Sequence, residues 1–367
     1  MKKFIIILIT LLSVLPLTPA KAEGSIVRIT SGAHQSFNGQ FRNDDLAQQL
    51  TPSGELGLLV YTPRVKNKTW VIDAALIDEI IAMTGEYKLA TFAAPIGKNI
   101  ATAWLQQLRK ITFGQQVVAL AYGNPDISMA QRLSPSELRS YYEIGKTHLE
   151  SALARKVRSE PNGRWSTGKS GLNYLQQKAY NENRKALIEL SRVVKDPQLS
   201  TLRAQLSKLL SPELDRGERK FYSYSASTTV NTMVHKLRIN SGKYQVTTSN
   251  VKLPVTVINE FNSDVTINVL MLPINSRVIV DSFRAVIIPA QSKKQLEMNV
   301  DVIAPGQTAV SAIITDSKGN NVVPEAVLNL NLTVIDARVT WFTTGAAILV
   351  LLAGVAQSVR RVRKRVK

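Results

Sequence analysis

The 367-residue sequence contains no cysteine. Disulfide bonds, thiolate metal sites and a cysteine nucleophile are therefore excluded, and the fold has to rely on packed cores. Histidine is scarce as well: His34, His148 and His235 lie far apart, and none belongs to an HExxH-like arrangement. The sequence therefore disfavours a zinc hydrolase and predicts neither a metal nor a cofactor.

Acidic residues are outnumbered by basic ones, 27 to 46, which gives a formal net charge of +19. Nine of these surplus charges lie at the two ends, three within the first 22 residues and six after Val359. The remaining +10 makes the middle of the chain moderately basic. This charge favours anionic lipids or wall polymers as partners, and we do not expect nucleic acid binding.

The two ends of the chain carry the patterns of a signal peptide and a membrane anchor. Lys2 and Lys3 precede an apolar run, and small residues at 20 and 22 mark a cleavage site. Residues 341–359 carry no charge over 19 positions, enough for a helix to cross a hydrocarbon core of about 30 Å. Trp341 should mark the outer membrane interface, and the cations that follow should stay cytoplasmic: Arg360, Arg361, Arg363, Lys364, Arg365 and Lys367.

These patterns predict a single-pass plasma-membrane protein with an extracytoplasmic N-terminal part. The signal peptide covers 1–22, the transmembrane helix 339–359 and the basic cytoplasmic tail 360–367. Gly and Ala residues are frequent in the anchor, which suits packing against a partner helix as well as an ordinary anchor composition.

Short apolar runs alternate with helical periodicity between residues 23 and 220. The runs predict strands over 25–30, 58–61, 69–72 and 116–121. Helical patterns cover 43–50, 76–81, 100–111, 172–194 and 197–210. Ser134-Pro135-Ser136-Glu137 has the form of a capping box that opens a helix running to about 155, and 156–170 reads as a basic loop. Residues 23–220 are therefore predicted to be an α/β region with a helical appendage.

From Phe221 the hydrophobic period changes from 3.6 to 2. Strands are predicted over 251–259, 265–272, 277–288, 293–302, 308–315 and 322–335, and turn residues separate them. Several short strands at this spacing, without cysteine, predict an immunoglobulin-like β-sandwich over 221–338. The fold class is thus α+β multidomain, with one transmembrane helix at the C-terminus.

Four passages of the chain resemble an actinobacterial envelope family of unknown biochemical activity. Residues 70–76 look like its strand ending in Asp-Pro-Ala-Leu, and 101–105 are similar to its Ala-x-x-Trp-Leu helix. Residues 121–126 resemble a Pro-Tyr-x-Asp-Pro-Asp block, and 244–259 the start of its sandwich. The resemblance implies a partial α/β barrel-like region, an immunoglobulin-like domain and a membrane anchor. It also implies a gene commonly encoded beside that of the lipid II flippase.

This chain departs from the family pattern at two positions. Ala74 stands where the family has proline, and Asn124 stands where it has an acid. Both departures argue against retained catalysis.

Two carboxylates, Asp73 and Asp126, each follow a short hydrophobic strand. In parallel α/β folds, ligands and catalytic groups gather at this end of the strands. The pair could act as acid and base on a glycan, with Tyr122 or Asn124 orienting the sugar. The alternative is structural: Asp73 caps the helix that begins at Ala74, and 124–126 form an Asx-type turn.

Trp165 lies among cations in the basic loop and is a further candidate contact for a polymer or lipid headgroups. Its alternative is an ordinary solvated loop. Tyr122, Asn124, Asp126 and Trp165 are thus the predicted ligand contacts.

Two functions follow from these features. The favoured one is a non-enzymatic, membrane-tethered protein that binds a cell-wall polymer or a membrane transporter such as the lipid II flippase, in cell-wall assembly. The alternative is a glycan-acting hydrolase or deacetylase that uses Asp73 and Asp126. The link to precursor export comes from the resemblance alone.

Overall fold

The computed structural model describes residues 25–62, 68–333 and 345–357. The predicted signal peptide, Trp341 and the cationic tail lie outside these residues. A helix covers 345–357, and among the described residues no helix is both long and apolar enough to cross a membrane.

The N-terminal half contains a sheet of four parallel strands in chain order. The strands are β1 (Ile26–Ile29), β2 (Thr69–Ile72), β3 (Gln116–Ala119) and β4 (Arg158–Ser159). The helices between and after them are α1 (Asp45–Leu50), α2 (Glu55–Tyr61), α3 (Ala74–Thr84), α4 (Lys98–Thr112), α5 (Ile127–Leu133) and α6 (Pro135–Leu153). Parallel strands in sequential order also form α/β barrels, which have eight strands. The sheet of this chain is open and has four.

One predicted strand in this half is wrong. Residues 58–61 belong to α2, because Leu56 and Val60 lie one helical turn apart and face the core together. A short apolar run cannot by itself distinguish a buried strand from a buried helix. The basic loop over 156–170, conversely, contains the two-residue strand β4.

The capping box predicted at Ser134 is also wrong in its detail. The helix does start at Pro135, but the Ser134 side chain makes no cap hydrogen bond. Its hydroxyl instead donates to the Ala130 carbonyl, 3.2 Å away, and lies 2.8 Å from the Tyr180 hydroxyl. A buried tertiary partner has replaced the local one.

A helical layer follows: α7 (Tyr174–Leu190), α8 (Pro197–Gln205), a 3₁₀ helix over Leu206–Leu210, and α9 (Arg216–Val234). The change of period predicted at Phe221 is wrong, because α9 continues to Val234 and the β-rich part begins at Leu237. Tyr and Ser residues alternate over 222–225, and this period of two is typical of a strand. A complete capping box between Asp215 and Glu218 nevertheless starts a helix, whose buried face repeats at Tyr222, Ala226 and Val230.

The C-terminal half is a sandwich of two sheets. One contains β5 (Leu237–Ile239), β7 (Asn250–Asn259), β11 (Ser292–Val302) and β9 (Val278–Val280). The other contains β10 (Phe283–Ile288), β8 (Val265–Pro273), β12 (Gly306–Thr315), β13 (Ala326–Leu332) and β6 (Gly242–Val246). All pairings are antiparallel except β6 with β13, which is an immunoglobulin-like arrangement.

Two large hydrophobic cores hold the described part together. The first lies on one face of the parallel sheet, among α1 to α4 and α6. The second runs without interruption from α7, α8 and α9 into the interior of the sandwich. The predicted boundary at 220/221 therefore falls inside α9, a helix that packs in the same core as the strands after it.

Candidate functional site

The candidate site lies where the strands of the parallel sheet end. Asp73 directly follows β2, and Tyr122, Asn124 and Asp126 lie in the segment between β3 and α5. The backbone N–H of Gly123 donates to Oδ1 of Asp73 over 2.9 Å, so the structure brings the two strand ends together. Gly123 has φ +76°, and a side chain there would collide with the backbone of Lys208.

Asp73 is a buried helix cap whose proton affinity is strongly altered. Its Oδ1 also accepts the Ala75 N–H, 3.0 Å away, which confirms the predicted cap of α3. Burial raises the pKa of Asp73 to about 7, and the negative charges of Glu213 and Glu79 act in the same direction. The two backbone hydrogen bonds lower the pKa but do not offset the burial. Near neutral pH this carboxyl group holds a proton for much of the time.

Asp126 uses both carboxylate oxygens to hold the backbone. Oδ1 accepts the Met129 N–H over 3.1 Å and so caps α5, whereas Oδ2 accepts the Ser170 N–H over 2.9 Å. The second bond attaches the end of the basic loop to the sheet edge. The chemistry visible in these contacts is structural, as in the capping alternative.

The Asn124 side chain accepts no backbone N–H in the described part of the chain, so it does not form the predicted Asx-type turn. Its Nδ2 donates to Oε1 of Glu213 over 3.1 Å, and its Oδ1 is buried without a hydrogen-bond partner in the described part of the chain. Asn124 also has φ 42°, a conformation uncommon for residues other than glycine. Partial desolvation raises the pKa of Glu213, although its side chain still reaches solvent.

Tyr122 leads to a second polar cluster that the sequence did not indicate. Its hydroxyl donates to Oδ2 of Asp78 over 2.8 Å, and Nδ1 of His148 lies 2.7 Å from the same oxygen. Burial, together with the Asp78 carboxylate, raises the pKa of Tyr122 well above its ordinary value. The hydrogen bond to Asp78 raises the pKa of His148. A half-exposed imidazole fixed by a carboxylate can exchange protons with a ligand.

A buried ion pair lies behind the site. Nζ of Lys208 is 2.7 Å from Oε1 of Glu79, and Oε2 of Glu79 accepts the backbone N–H of His34 over 2.9 Å. Burial lowers the pKa of His34. The pair joins α3 to the 3₁₀ helix and to the segment after β1, so it positions the sheet edge.

Trp165 covers the second face of the parallel sheet. Its ring packs against Val71, Val118 and Leu120, and its Nε1 donates to Glu160 over 2.6 Å. Arg164 lies 5.1 Å from the ring centroid. The aromatic residue among cations is therefore half-buried in the fold. In the described ranges, no three His, Asp or Glu side chains are grouped as a metal would require.

Sequence reasoning identified Asp73, Tyr122, Asn124 and Asp126 from the rule that strand ends meet. It missed Asp78, His148, Glu79, Lys208 and Glu213, which lie within or after helices. The only available signal was polarity on apolar helical faces: Glu79 interrupts the buried face of α3, and Lys208 lies within an otherwise buried turn. Such a signal shows that a partner exists without indicating which residue it is.

The chain belongs to the family of unknown function DUF6049, whose sequence profile matches residues 151–364, more than half of the chain. No curated protein matches it. Among solved structures, the secreted serine protease VesC from Vibrio cholerae matches 26% of this chain and 22% of its own length, with 14% identity and a TM-score of 0.22.

Two further matches are small domains. PapD-like domain 7 of human CEP192 matches 28% of this chain and 87% of its own, with 11% identity and a TM-score of 0.20. The fibronectin(III)-like modules of Clostridium thermocellum CbhA match 27% and 94%, with 12% identity and a TM-score of 0.17. Scores this low carry no argument about function.

Proposed function

We propose that this chain is a non-enzymatic, membrane-tethered protein whose folded part lies outside the plasma membrane and binds a cell-envelope component or a membrane partner. The observation that carries the proposal is the uncharged stretch 341–359 followed by six cations within the last eight residues. The basic tail also suits the anionic inner leaflet.

The contacts at the sheet edge support binding over catalysis. Both oxygens of Asp126 accept backbone N–H groups, and Oδ1 of Asp73 accepts two. A carboxylate that holds the backbone in this way is a positioning group, since moving it would release a helix start. Glu213 is the sheet-edge group placed to meet a ligand, because its side chain reaches solvent, whereas Asn124 beside it is only 2% exposed and its unpartnered oxygen is buried.

The finer part of the proposal comes from the family resemblance. We propose an actinobacterial envelope protein that acts in cell-wall assembly, with a wall polymer or a membrane transporter such as the lipid II flippase as its partner. The small residues of the anchor suit contact with another transmembrane helix.

Crosslinking in the native membrane tests this function. The full chain, with anchor and tail, is treated with a crosslinker that carries an amine-reactive group for its exposed lysines and a photoreactive diazirine that inserts into C–H and O–H bonds of a partner, and the products are identified by mass spectrometry. We expect an envelope polymer fragment or a membrane protein, and the yield of a membrane partner should fall when residues 339–367 are removed. Recovery of no envelope component at all would contradict the proposal.

A glycan-acting hydrolase or deacetylase using Asp73 and Asp126 is the second candidate. One observation favours it: a carboxyl group with a pKa of about 7, as Asp73 has, carries the proton that a general acid needs near neutral pH. If this function is correct, the purified protein releases reducing ends or acetate from envelope glycan. Asp73→Asn should then abolish the release while leaving the circular dichroism spectrum unchanged.

A further inference from the structure

Two grooves run along opposite sides of α9, outside the sheet-edge site. The first, of about 710 Å³, lies between α7 and α9 and is closed by residues 321–324 of the sandwich. The second, of about 560 Å³, lies between α9 and the segment 36–40. Both volumes fall in the range of about 300–1,000 Å³ that small-ligand sites occupy. Tyr224 and Thr228 line both grooves, so α9 forms a ridge between them.

Neutral hydroxyl and amide groups dominate the polar lining. The side chains of Thr228, Thr229, Asn231 and Asn321 make no hydrogen bond to any other described residue, so their donors and acceptors remain open to a ligand. Asn183, only 8% exposed, is held in place because its Nδ2 donates to the Ser227 hydroxyl over 3.1 Å. The floor of the first groove is thereby fixed before any ligand arrives.

Charge in the grooves is nearly balanced. The two acids of the first groove, Glu182 and Glu189, each lie 3.8 Å from a lysine one turn away on α7. Among the described residues that line the second groove, Lys236 is the one cation. A polyanion requires a run of cations, and this lining does not provide one.

An aromatic ring stands at the crest of the ridge. The Tyr224 side chain is 75% exposed, although its ring is large and mostly apolar. Such a ring can stack on the apolar face of a sugar while its hydroxyl stays hydrated. Phe221, one turn earlier on α9, adds a second ring beside the second groove; it is 37% exposed, and Arg42 lies 5.6 Å from its centroid.

We propose that the α9 ridge and its two grooves bind a neutral oligosaccharide, which crosses α9 over the Tyr224 ring and reaches the hydroxyl and amide groups on both sides. The inference names the chemical class of the envelope component. It rests on the proposed function, which places the folded part outside the membrane, where it would meet such a sugar. The ridge is a different place from the sheet edge, so Asp73 and Asp126 take no part in it.

Titration of the purified full-length chain with defined sugars tests the site. Chitotetraose and cellotetraose are the neutral probes, a hyaluronan tetrasaccharide is the anionic control, and binding is followed by calorimetry and saturation-transfer NMR. The detergent should be a polyoxyethylene, because sugar-headed detergents would compete. We expect at least one neutral probe to bind more tightly than the anionic one.

Three variants locate the binding. Tyr224→Ala should weaken it about tenfold, whereas Tyr224→Phe keeps the ring and should retain it. Thr228→Val removes a hydroxyl from both grooves with little change of shape and should weaken binding as well. The matched control is Tyr174→Ala, since Tyr174 is 78% exposed and lines neither groove.

Absence of binding to both neutral probes, preference for the anionic probe, or equal losses in Tyr224→Ala and Tyr174→Ala would each overturn the proposal. These results concern the purified protein and do not depend on its location. If the protein has the proposed membrane topology but binds no neutral sugar, only this inference is overturned. If it binds the sugar but has a different topology, only the proposed location is overturned.

Discussion

Removing one charge of the buried pair between Glu79 and Lys208 should destabilise the fold severely. The two side chains are 3% and 7% exposed and their charged atoms are 2.7 Å apart. Lys208 Nζ also lies 3.4 Å from the Gln35 carbonyl oxygen and 5.8 Å from the Phe37 ring centroid. In Lys208→Met, the Glu79 carboxylate would keep only the His34 N–H, at 2.9 Å.

The magnitude follows from the desolvation of the charge left behind. Loss of one partner of a buried pair costs about 3–5 kcal/mol. Glu79→Gln should cost a similar amount, because it strands the ammonium group. In the double variant no charge remains, and the glutamine still accepts the His34 N–H, so we expect a total cost of only about 1–2 kcal/mol.

Urea unfolding, followed by tryptophan fluorescence, measures these differences. Trp70 and Trp104 are buried in the core beside the parallel sheet and report on its unfolding. Lys156→Met is the matched control: its ion pair with Glu150 is 3.5 Å long and its side chain is 93% exposed, so the cost should stay below about 1 kcal/mol. If the two single losses simply add in the double variant, the pair is not coupled and the argument fails.

Three other predictions concern the sheet edge. Because the pKa of Asp73 is raised from 3.8 to about 7, the folded protein keeps a proton that the unfolded chain has lost between these pH values. Its stability should therefore fall as pH rises through this window, by up to about 4 kcal/mol in total; melting curves at about pH 5 and pH 8 span the upper part of the window and should show about 2–3 kcal/mol of this fall in the wild type but not in Asp73→Asn. Asp78→Asn should lower the pKa of His148 towards 6.5, and an unchanged histidine titration by NMR would refute the bond between them. Gly145→Ala places a methyl group 2.2 Å from the Leu120 carbonyl oxygen, so α6 must move and thermal unfolding should show a loss of about 1–3 kcal/mol.

The sandwich was the part of the fold that local sequence patterns predicted best. In five of the six runs predicted from Val251 onwards, buried and exposed residues alternate, and the structure places β7, β8, β11, β12 and β13 there. The predicted run 277–288 instead forms two strands, β9 and β10, which belong to different sheets. Because one face of each sheet is buried, apolar and polar residues alternate along these segments with a period of two. The same period of two at 222–225 gave a wrong prediction, because this segment belongs to a helix that starts at the capping box of Asp215 and Glu218 and is stabilised by tertiary packing.

The candidate site was predictable only where one rule connected distant residues. Ligands and catalytic groups gather at the ends of parallel strands, and this rule selected Asp73 and residues 122–126; the structure joins the two strand ends through the Gly123 N–H, which donates to Asp73. No comparable rule connects Glu79 with Lys208, 129 positions away, or Asp78 with His148, 70 positions away. Their partners are set by how helices pack on the sheet, and a single sequence does not specify that packing.

Because the chain has no cysteine, single introduced cysteines can decide on which side of the membrane each part lies. Lys318→Cys lies in an exposed turn after β12, and Lys367→Cys lies at the end of the basic tail. In intact cells, a membrane-impermeant maleimide should label the first variant and leave the second unlabelled until the membrane is opened. Labelling of Lys367→Cys in intact cells, or protection of Lys318→Cys, would contradict an extracytoplasmic binding protein held by a C-terminal anchor.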